Sequence, residues 1–523
     1  MPQLRLQYLL PCALVGCVAG SESNGPDGPG TAVVLTSKRI VTLNGTQVAG
    51  AATITGVTGA LVGIDVRPAD GGIYALSAAG ALYVINPTTG VATQKSTLAA
   101  DAMDMSAPFT TLAGARFGLD FNPVVDRLRV ISNTGQNLRI NVDTGATFTD
   151  TAVTGAVTGY GSAAYTNSFA AACRTSLYGI DDASDRLVLQ NPPNDGTTVA
   201  VGALGVDATS AVGFDVQTEA TGASTAMAIL TVGGTQRLYS IDLGTGAAGS
   251  GTALDLDGGE TAIDLAVTPV TASAGAVTQP PGELFGVSES GKLVSFNRGA
   301  PGKLCTSTAI SGLGAGESIA GIDFRPSTGA LYALAQANGA GKLYTVDPAT
   351  GAATSGVALS VALAGTEFGM DFNPTGPVAL RIVSNTGQNL RVTDVATGAT
   401  TADSKLNGVN DAATAAAYTG SAPGATTTTL YVLDTELDRL RIQNPPNSGT
   451  LVDVGALGVD LGDSSAFDID GRDGVAFVVA NVANATTSTL RTLDLTTGAL
   501  SAPLGTIGGN ERLRGITRVP PSS

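Results

Sequence analysis

The stretch SNTGQNLR at Ser132–Arg139 recurs without a change at Ser384–Arg391, about 250 residues further along the chain. The motif QNPPN recurs at nearly the same spacing, beginning at Gln190 and again at Gln443. Long identical motifs at one nearly fixed distance are the sequence signature of an internal repeat. The chain of 523 residues is therefore a duplication of a unit of about 250 residues.

A shorter rhythm runs through each unit, because segments close to the pattern apolar-Gly-apolar-Asp recur about every 50 residues. In the first unit these segments begin at Val62, Phe117, Ala164, Val212 and Ala262. Short runs of alternating apolar residues follow them, and turns rich in Asn, Asp and Gly separate the runs. Five phases of short strands per unit predict an all-β fold of propeller blades, with about five blades in each unit.

The ends of each unit favour closure into a ring. The first unit opens at Val33–Leu35 in the middle of a blade, and its last segment, Ala262–Val267, can supply the missing innermost strand. The second unit opens at Leu284–Val287 and ends with Leu513–Val519 in the same way. Closed rings leave few exposed strand edges. The sequence thus predicts two tandem five-bladed propellers, with one ten-bladed ring, a solenoid, a sandwich or another blade number as alternatives.

The N-terminus has the features of an export signal. The apolar run Leu6–Gly16 is shorter than the about 20 residues needed to cross a bilayer, which favours a secretory signal. Leu14–Cys17 (LVGC) resembles the lipobox of bacterial lipoproteins, which implies cleavage before Cys17 and acylation of that cysteine. Ordinary cleavage near Val18–Gly20 and a cytosolic chain are the alternatives.

These features predict an exported lipoprotein of the bacterial outer membrane or cell surface, with a soluble periplasmic or secreted protein as the alternative. The lipid anchor would be its only contact with a membrane. The expected organisation is a signal peptide at 1–16, a flexible tether rich in Gly and Pro at 17–30, a first propeller domain at 31–270, a linker at 271–281 and a second propeller domain at 282–520.

Composition narrows the possible functions. The chain contains no histidine, so catalytic dyads, triads and zinc sites that need an imidazole are excluded. Its 43 acidic and 27 basic residues give a net charge of -16, and no basic run stands out. Because affinity for nucleic acid depends on neutralising phosphates, this charge argues against a nucleic acid partner.

The motifs FGLDFNP (Phe117–Pro123), DRLRVISNTGQNLR (Asp126–Arg139), LYGID, QNPPN and VGALGVD together resemble the bacterial family called domain of unknown function 4394, present here twice. The resemblance extends over nearly all of residues 31–520. It departs at Gly376–Ala379, where the first copy has Val125–Leu128. It implies an exported, repetitive β-protein and assigns no reaction.

Seven aspartates occupy the same place in the predicted innermost strands, where carboxylates could converge near each ring axis. They are Asp65, Asp120, Asp215 and Asp264 in the first unit and Asp323, Asp371 and Asp468 in the second. Converging carboxylates could hold Ca²⁺ or another hard cation, which is the one cofactor that the sequence suggests. The sequence favours the other interpretation, in which each aspartate accepts backbone N–H groups of the neighbouring blade and has a structural role. Thr517 stands at the position that matches Asp264, so the second ring lacks one carboxylate.

The unchanged repeat motif is a candidate ligand-binding element, since the strands on either side place Asn133–Gly135 in a hairpin turn. Amide and guanidinium groups near this turn could bind a glycan or a peptide, and two copies would make the binding bivalent. These candidates are Asn133, Gln136, Asn137 and Arg139 in the first copy and Asn385, Gln388, Asn389 and Arg391 in the second. More often, a set of this kind fixes a turn and bridges blades, and the sequence favours that interpretation.

The favoured functional hypothesis is a non-catalytic lipoprotein of the cell surface or periplasm that binds an unidentified protein or glycan partner. The alternative is a Ca²⁺-dependent propeller enzyme of the lactonase or lyase type, in which the inner-strand carboxylates hold the ion and polarise a substrate. Cys173 and Cys305 remain after the predicted cleavage and lipidation, either as a disulfide or as two separate thiols.

Overall fold

The computed structural model describes residues 32–520, apart from 156, 158, 255, 257–258, 270–277, 355, 377–378 and 408–412. The predicted signal peptide at 1–16, the predicted lipidation residue Cys17 and the tether at 17–30 lie outside the described residues. Most of the predicted linker at 271–281 lies outside them as well.

Almost every regular element in the described part of the chain is a β-strand. The exceptions are two single turns of 3-10 helix, Pro193–Asp195 and Pro446–Ser448, one in each copy of the QNPPN motif. No helix formed by these residues is long and apolar enough to cross a membrane.

Residues 32–267 form five sheets, which we call blades I to V of ring 1. Each blade has four antiparallel strands, and blades III and IV each gain a short parallel strand at the outer edge. From innermost to outermost the strands are Ala262–Val267, Ala32–Thr36, Arg39–Asn44 and Gln47–Thr53 in blade I; Leu61–Val66, Ile73–Ser77, Ala81–Ile85 and Ala92–Thr97 in blade II; Phe117–Asn122, Arg127–Ser132, Asn137–Ile140, Ala146–Thr149 and Ala99–Ala100 in blade III; Tyr160–Tyr165, Leu177–Asp181, Arg186–Gln190, Thr197–Ala203 and Thr154–Gly155 in blade IV; and Ala208–Thr218, Ser224–Val232, Thr235–Ile241 and Thr252–Ala253 in blade V.

Residues 284–518 form blades VI to X of ring 2, each with four antiparallel strands. In the same order the strands are Leu513–Arg518, Leu284–Ser288, Lys292–Phe296 and Leu304–Ala309 in blade VI; Ser318–Phe324, Leu331–Ala337, Ala340–Val346 and Val357–Ala358 in blade VII; Phe368–Phe372, Leu380–Ser384, Asn389–Asp394 and Ala399–Ala402 in blade VIII; Ala415–Tyr418, Leu430–Asp434, Arg439–Gln443 and Leu451–Ala456 in blade IX; and Ala466–Ile469, Ala476–Ala480, Thr489–Leu493 and Gly505–Thr506 in blade X.

Each ring is closed by a strand from its own far end. In blade I, Ala32–Thr36 pairs with Ala262–Val267, and in blade VI, Leu284–Ser288 pairs with Leu513–Arg518. The innermost strand of every blade packs against that of the next, and in both rings the fifth packs against the first. The predicted fold class, two tandem propeller rings of five blades each, is therefore confirmed.

The glycine of the repeated apolar-Gly-apolar-Asp pattern lets neighbouring innermost strands approach closely. A Cβ atom at Gly118 would lie 2.5 Å from the backbone nitrogen of Ala163 in blade IV. A Cβ atom at Gly213 would lie 2.5 Å from that of Leu265 in blade I. Only glycine tolerates this spacing. It brings the aspartate two residues later within hydrogen-bonding distance of the next blade.

The hydrophobic core lies between the blades. The cluster between blades II and III contains Tyr74 and Phe121, whose rings meet edge to face with their centroids 5.3 Å apart. The matching contact in ring 2 joins Tyr332 and Phe372 at 5.1 Å. Because each blade is covered by a neighbour on both faces, a strand such as Ile73–Ser77 is buried along its whole length.

A disulfide bond joins the two rings. Cys173 lies in the loop after the innermost strand of blade IV, Cys305 lies in the outermost strand of blade VI, and their Cα atoms are 5.7 Å apart. The N–H of Cys173 also donates to Gln279 Oε1 at 3.1 Å, and its carbonyl accepts from Asn297 Nδ2 at 2.7 Å. The sequence left the pairing of the two cysteines open, and in the structure they are bonded.

Candidate functional site

Six of the seven predicted inner-strand aspartates form two compact groups, one in each ring, which we call the axial carboxylates. Each residue contributes one oxygen, and the oxygens of a group lie within 4.8 Å of one another. The groups are Asp65, Asp120 and Asp215 in ring 1 and Asp323, Asp371 and Asp468 in ring 2. All six residues are buried. The seventh aspartate, Asp264, is buried nearby but is not a member of the group.

The axial carboxylates accept hydrogen bonds from backbone N–H groups of the next blade. Asp65 accepts from Phe121 of blade III at 2.6 Å, and Asp215 accepts from Val267 of blade I at 2.5 Å. In ring 2, Asp468 of blade X accepts from the N–H of a residue in blade VI at 2.7 Å. These bonds tie each innermost strand to its neighbour around the ring.

Asp264 and Thr517 occupy the same place in the two rings and make comparable bonds with different chemistry. Asp264 accepts from the N–H of Ile64 at 2.9 Å. Thr517 Oγ1 accepts from the N–H of Phe324 at 3.2 Å and donates its own proton to Asp323 at 2.9 Å. Ring 2 therefore has a neutral hydroxyl where ring 1 has a buried carboxyl group.

Burial dominates the electrostatics of the axial carboxylates. Desolvation, followed by repulsion from Asp215, raises the pKa of Asp65 well above its usual range. Desolvation also raises the pKa of Asp215 to about 6, and a hydrogen bond joins Asp215 to Asp120. Desolvation is the largest cause of the raised pKa values of the matching residues in ring 2, Asp323, Asp371 and Asp468. Because carboxylates this close cannot all ionise, each group retains protons unless a cation neutralises it.

The axial carboxylates fit a hard cation only in part. Three convergent carboxylates are the right ligand type for Ca²⁺, which takes about 6 to 8 oxygens at roughly 2.3–2.6 Å. Several of their lone pairs already accept backbone N–H groups, and the residues are buried. A Ca²⁺ ion would have to replace some of these bonds before it reached its usual coordination number.

The unchanged repeat motif anchors a loop of its own blade. Its predicted turn lies between the strands Arg127–Ser132 and Asn137–Ile140, as expected. Asn133 Oδ1 accepts from two consecutive N–H groups of the loop at 111–116, at 2.9 and 3.1 Å. Gln136 bonds to the same loop through both atoms of its amide, at 2.9 Å each. The corresponding bonds in ring 2 are made by Asn385 and Gln388.

Asn137 and Arg139 belong to a buried polar network between blades III and IV. Its centre is Arg129, which is only 2% exposed. Arg129 donates to three oxygens at 2.6 to 2.8 Å, one each on Asn137, Asp150 and Asn194. Arg139 pairs with the other oxygen of Asp150 at 2.8 Å. The same network forms in ring 2 around Arg381, with Asn389, Asp403, Asn447 and Arg391.

A cleft of about 770 Å³ opens between the two rings, and we call it the inter-ring cleft. Ring 1 lines it with Asn122, Val124 and Val125 and with the loop residues 171–175. Ring 2 lines it with residues 297–300 and with Lys303 and Val519. Both cysteines of the disulfide contribute to its wall, so the two sides of the cleft are covalently joined.

Neither the inter-ring cleft nor its basic residues, Arg174, Arg298, Lys303 and Arg472, were predicted from the sequence. A signal was present in the differences between the two copies. Arg174 stands where the second copy has Thr427, and Arg472 lies in the loop of a hairpin of blade X that is shorter than the matching hairpin of blade V. Residues that differ between the two copies can serve a site that forms only where the two rings meet, as the inter-ring cleft does.

Comparisons with known proteins bear on the fold and the family. A family model described as Domain of unknown function (DUF4394) matches residues 39–266 and 292–517. No curated protein matches the chain. Among solved structures, the chain is similar to the Dos1 propeller, with 8% identity over 87% of this chain and 93% of that chain and a TM-score of 0.23.

Two further solved structures are similar to the chain. One is a protein from Lactobacillus plantarum, with 17% identity over 68% of this chain and 97% of that chain and a TM-score of 0.26. The other is the dihydro-heme d1 dehydrogenase NirN, with 9% identity over 96% of this chain and 78% of that chain and a TM-score of 0.23. Identities and TM-scores this low carry no inference about function.

Proposed function

The chain belongs to the family described as Domain of unknown function (DUF4394), and because that description assigns no reaction, we propose from the chain's own geometry that it is a binding protein exported to the bacterial cell envelope. Its partner would be a protein or a glycan, held without chemical conversion. The observation that carries this proposal is the inter-ring cleft, whose two walls are joined by the Cys173–Cys305 disulfide.

A cleft fixed in this way suits binding. Its volume of about 770 Å³ lies within the range of about 300–1,000 Å³ that is common for ligand pockets. Its walls combine apolar side chains, such as Val125 and Val519, with a few polar and charged groups. Since the rings are already held in place, a ligand would not have to pay the entropic cost of bringing them together.

The axial carboxylates support a role without catalysis. They are buried, and they accept backbone N–H groups, whereas a catalytic carboxylate must reach a substrate. The chain also has no histidine that could replace them as a general acid or base. The structural role of the repeated aspartates in joining blades is sufficient to account for their recurrence.

The binding role can be tested by filling the inter-ring cleft. Ala300 is exposed and lines the cleft, so Ala300→Trp should obstruct it, and Ala79→Trp places the same side chain on an exposed site elsewhere. The full chain, purified from host membranes, is used for affinity capture from envelope extract. We expect a partner that is retained by the native chain and by Ala79→Trp but lost by Ala300→Trp. Capture of no partner, or equal capture by all three chains, would refute the proposal.

Export as a lipoprotein rests on the sequence LVGC that ends at Cys17. Growth of the host with radiolabelled palmitate should label the native chain, and Cys17→Ser should abolish the labelling. Cys12→Ser, which changes the other N-terminal cysteine, should leave it intact. A native chain that carries no label would contradict lipidation, and a native chain found in the cytosol would contradict export.

A second candidate function is that of a Ca²⁺-dependent enzyme, and the convergence of the axial carboxylates favours it. Calorimetric unfolding in EDTA and then in graded Ca²⁺ tests it, because a cation present at about 100 times its Kd adds about 2.7 kcal/mol to the free energy of unfolding. A rise in melting temperature that is lost when Asp65, Asp120 and Asp215 are changed to Asn would favour a metal site. An unchanged melting temperature would eliminate this candidate.

A further inference from the structure

The inter-ring cleft differs in charge from the rest of the molecule. The whole chain carries a net charge of -16. The cleft is instead lined by four basic residues, Arg174, Arg298, Lys303 and Arg472, and by a single acidic residue, Glu283. Because most of the charged residues in the cleft are basic, the local electrostatic field there attracts anions, although the protein as a whole is acidic.

Three of the four basic residues form no direct ion pair with a carboxylate among the described residues, although Asp470 attracts Arg472 at longer range. Arg298 is paired with Asp473 at 2.9 Å and lies near Glu283. Arg174, Lys303 and Arg472 form no ion pair within the described part of the chain. Within the described part of the chain, Arg472 donates to two backbone carbonyls near the end of ring 2. Arg174 and Lys303 therefore present positive charges to the cleft without a carboxylate partner from the residues that the structure describes, and Asp470 offsets the charge of Arg472 only in part.

Among these residues, Lys303 has a positive charge that is partly desolvated, so that a bound anion would stabilise it. It is half-buried in the cleft wall, and desolvation lowers the pKa of its ammonium group. Removing part of the water from an unpaired charge is unfavourable, and a bound carboxylate would offset that cost. Lys303 and Arg174 also flank the disulfide, two residues before Cys305 and one residue after Cys173. The covalent link thus holds one cation from each ring in the same cleft.

The rest of the wall is apolar and aliphatic. Val125 is 54% exposed, and Val124, Pro281 and Val519 line the same space. No aromatic residue lines the cleft among those described, so it lacks a flat surface on which a sugar or a base could stack. Aliphatic walls next to separate cations match a chain that alternates aliphatic and acidic side chains.

We propose that the inter-ring cleft binds an acidic peptide segment, with carboxylates of the segment paired with Arg174, Lys303 and Arg472 and its aliphatic side chains packed against the valines of the wall. This inference rests on the proposed binding function and names its ligand class. At about 770 Å³ the cleft lies within the range of about 300–1,000 Å³ that is common for ligand pockets.

The test uses fluorescein-labelled pools of hexapeptides and the full chain purified from host membranes. In the acidic pool, Asp or Glu alternates with Val, Leu or Ile. Two matched pools carry Lys or Arg, and Ser or Thr, in place of the acidic residues. We expect the acidic pool alone to raise fluorescence anisotropy, and we expect the binding to weaken at high salt because the ion pairs are partly exposed.

Two triple variants locate the site. Arg174→Ala, Lys303→Ala and Arg472→Ala together should weaken binding of the acidic pool by about tenfold or more. The control changes three exposed basic residues outside the cleft, Lys38, Arg186 and Lys405, to alanine and should retain native affinity. Equal melting temperatures of the variants would show that both remain folded.

The proposal is overturned if the acidic pool binds no better than the other pools, or if the cleft variant and its control lose affinity equally. Tighter binding of an oligogalacturonate or of a single-stranded oligonucleotide would also overturn it, since either would place the anion on another class of ligand. If the pools fail while Ala300→Trp still loses the envelope partner, the peptide class is wrong and the binding function stands.

Discussion

Asp120 and Asp264 are both buried in ring 1, but they differ in how they bond. Asp120 accepts the N–H of Tyr165 and is joined to Asp215 by a hydrogen bond that requires a proton. Asp264 uses both oxygens as acceptors, from Ile64 at 2.9 Å and from Leu265 at 2.8 Å. An asparagine amide has one acceptor oxygen and one donor nitrogen, so it can replace the carboxyl group of Asp120 but not the two acceptor oxygens of Asp264.

Asp120→Asn should therefore become more stable relative to the native chain as the pH rises. Burial raises the pKa of Asp120 above its value in the unfolded chain, so the native fold must bind a proton that the unfolded chain releases. The stability that this proton confers is present at pH 4 and is lost as the pH rises through the folded pKa, and asparagine does not titrate. Melting temperatures measured in EDTA should be similar at pH 4, and the variant should melt several degrees higher at pH 7.

Asp264→Asn provides the contrast at pH 4. Its amide nitrogen would face one of the two N–H groups that the native carboxyl accepts, and an unpaired buried N–H costs about 1–3 kcal/mol. This variant should melt lower than the native chain at pH 4, where Asp120→Asn does not. If both variants melted equally low at pH 4, the assignment of a proton to the contact between Asp120 and Asp215 would be wrong.

The network around Arg129 allows a similar test, in which a substitution removes a buried cation instead of a buried carboxyl group. Arg129→Leu would leave Asp150 with only half-exposed Arg139 as a partner, and breaking a buried ion pair costs about 3–5 kcal/mol. Calorimetry should show this loss in ring 1 and a similar loss in ring 2 for Arg381→Leu. Arg127→Leu, which removes a less buried arginine two residues away, should change stability by less than about 0.5 kcal/mol.

At the scale of the strands, closure of ring 2 depends on Leu513–Arg518. Deleting residues 513–523 would expose the edge of Leu284–Ser288 and remove the N–H that Asp468 accepts. We expect the calorimetric transition of ring 2 to disappear while that of ring 1 persists, because ring 1 closes with its own strand Ala262–Val267. Deleting only residues 521–523 is the control. Loss of both transitions would contradict independent closure.

The strands were largely predictable from the sequence because each repeats a local rule. The apolar-Gly-apolar-Asp pattern located four of the five innermost strands of ring 1, and the incomplete blade at Val33–Leu35 indicated how the ring closes. The short parallel strands Ala99–Ala100 and Thr154–Gly155 were not predicted. A strand of two residues is too short to show a periodic pattern in the sequence, and its pairing depends on where the neighbouring loop lies.

The bonding of the candidate sites was less predictable than the strands. The sequence indicated that amides cluster near Asn133 and that aspartates converge near the ring axes. It did not indicate that Gln136 would be occupied by the loop at 111–116, or that Asn137 would accept from Arg129. Which polar group meets which depends on side-chain directions across blades, and spacing along the chain does not encode these directions.

At the scale of the whole molecule, the disulfide determines how independent the rings are. Cys173→Ser with Cys305→Ser should leave both rings folded, because each closes with its own strand. It should lower the melting temperature, since a link across 132 residues reduces the entropy of the unfolded chain, worth up to about 5 kcal/mol. Small-angle scattering should show a wider range of maximum dimensions. Unchanged scattering would mean that the hydrogen bonds of Gln279 and Asn297 hold the rings without the disulfide.

The closure of each ring places its entry beside its exit. Ala32 pairs with Val267 and Leu284 pairs with Arg518, so the chain leaves each ring next to the point where it came in. A gene that encodes one such unit can be copied end to end, and the new copy attaches without opening the old one. Evolution could therefore lengthen this protein one ring at a time, and a circularly permuted gene could begin either ring at a different blade.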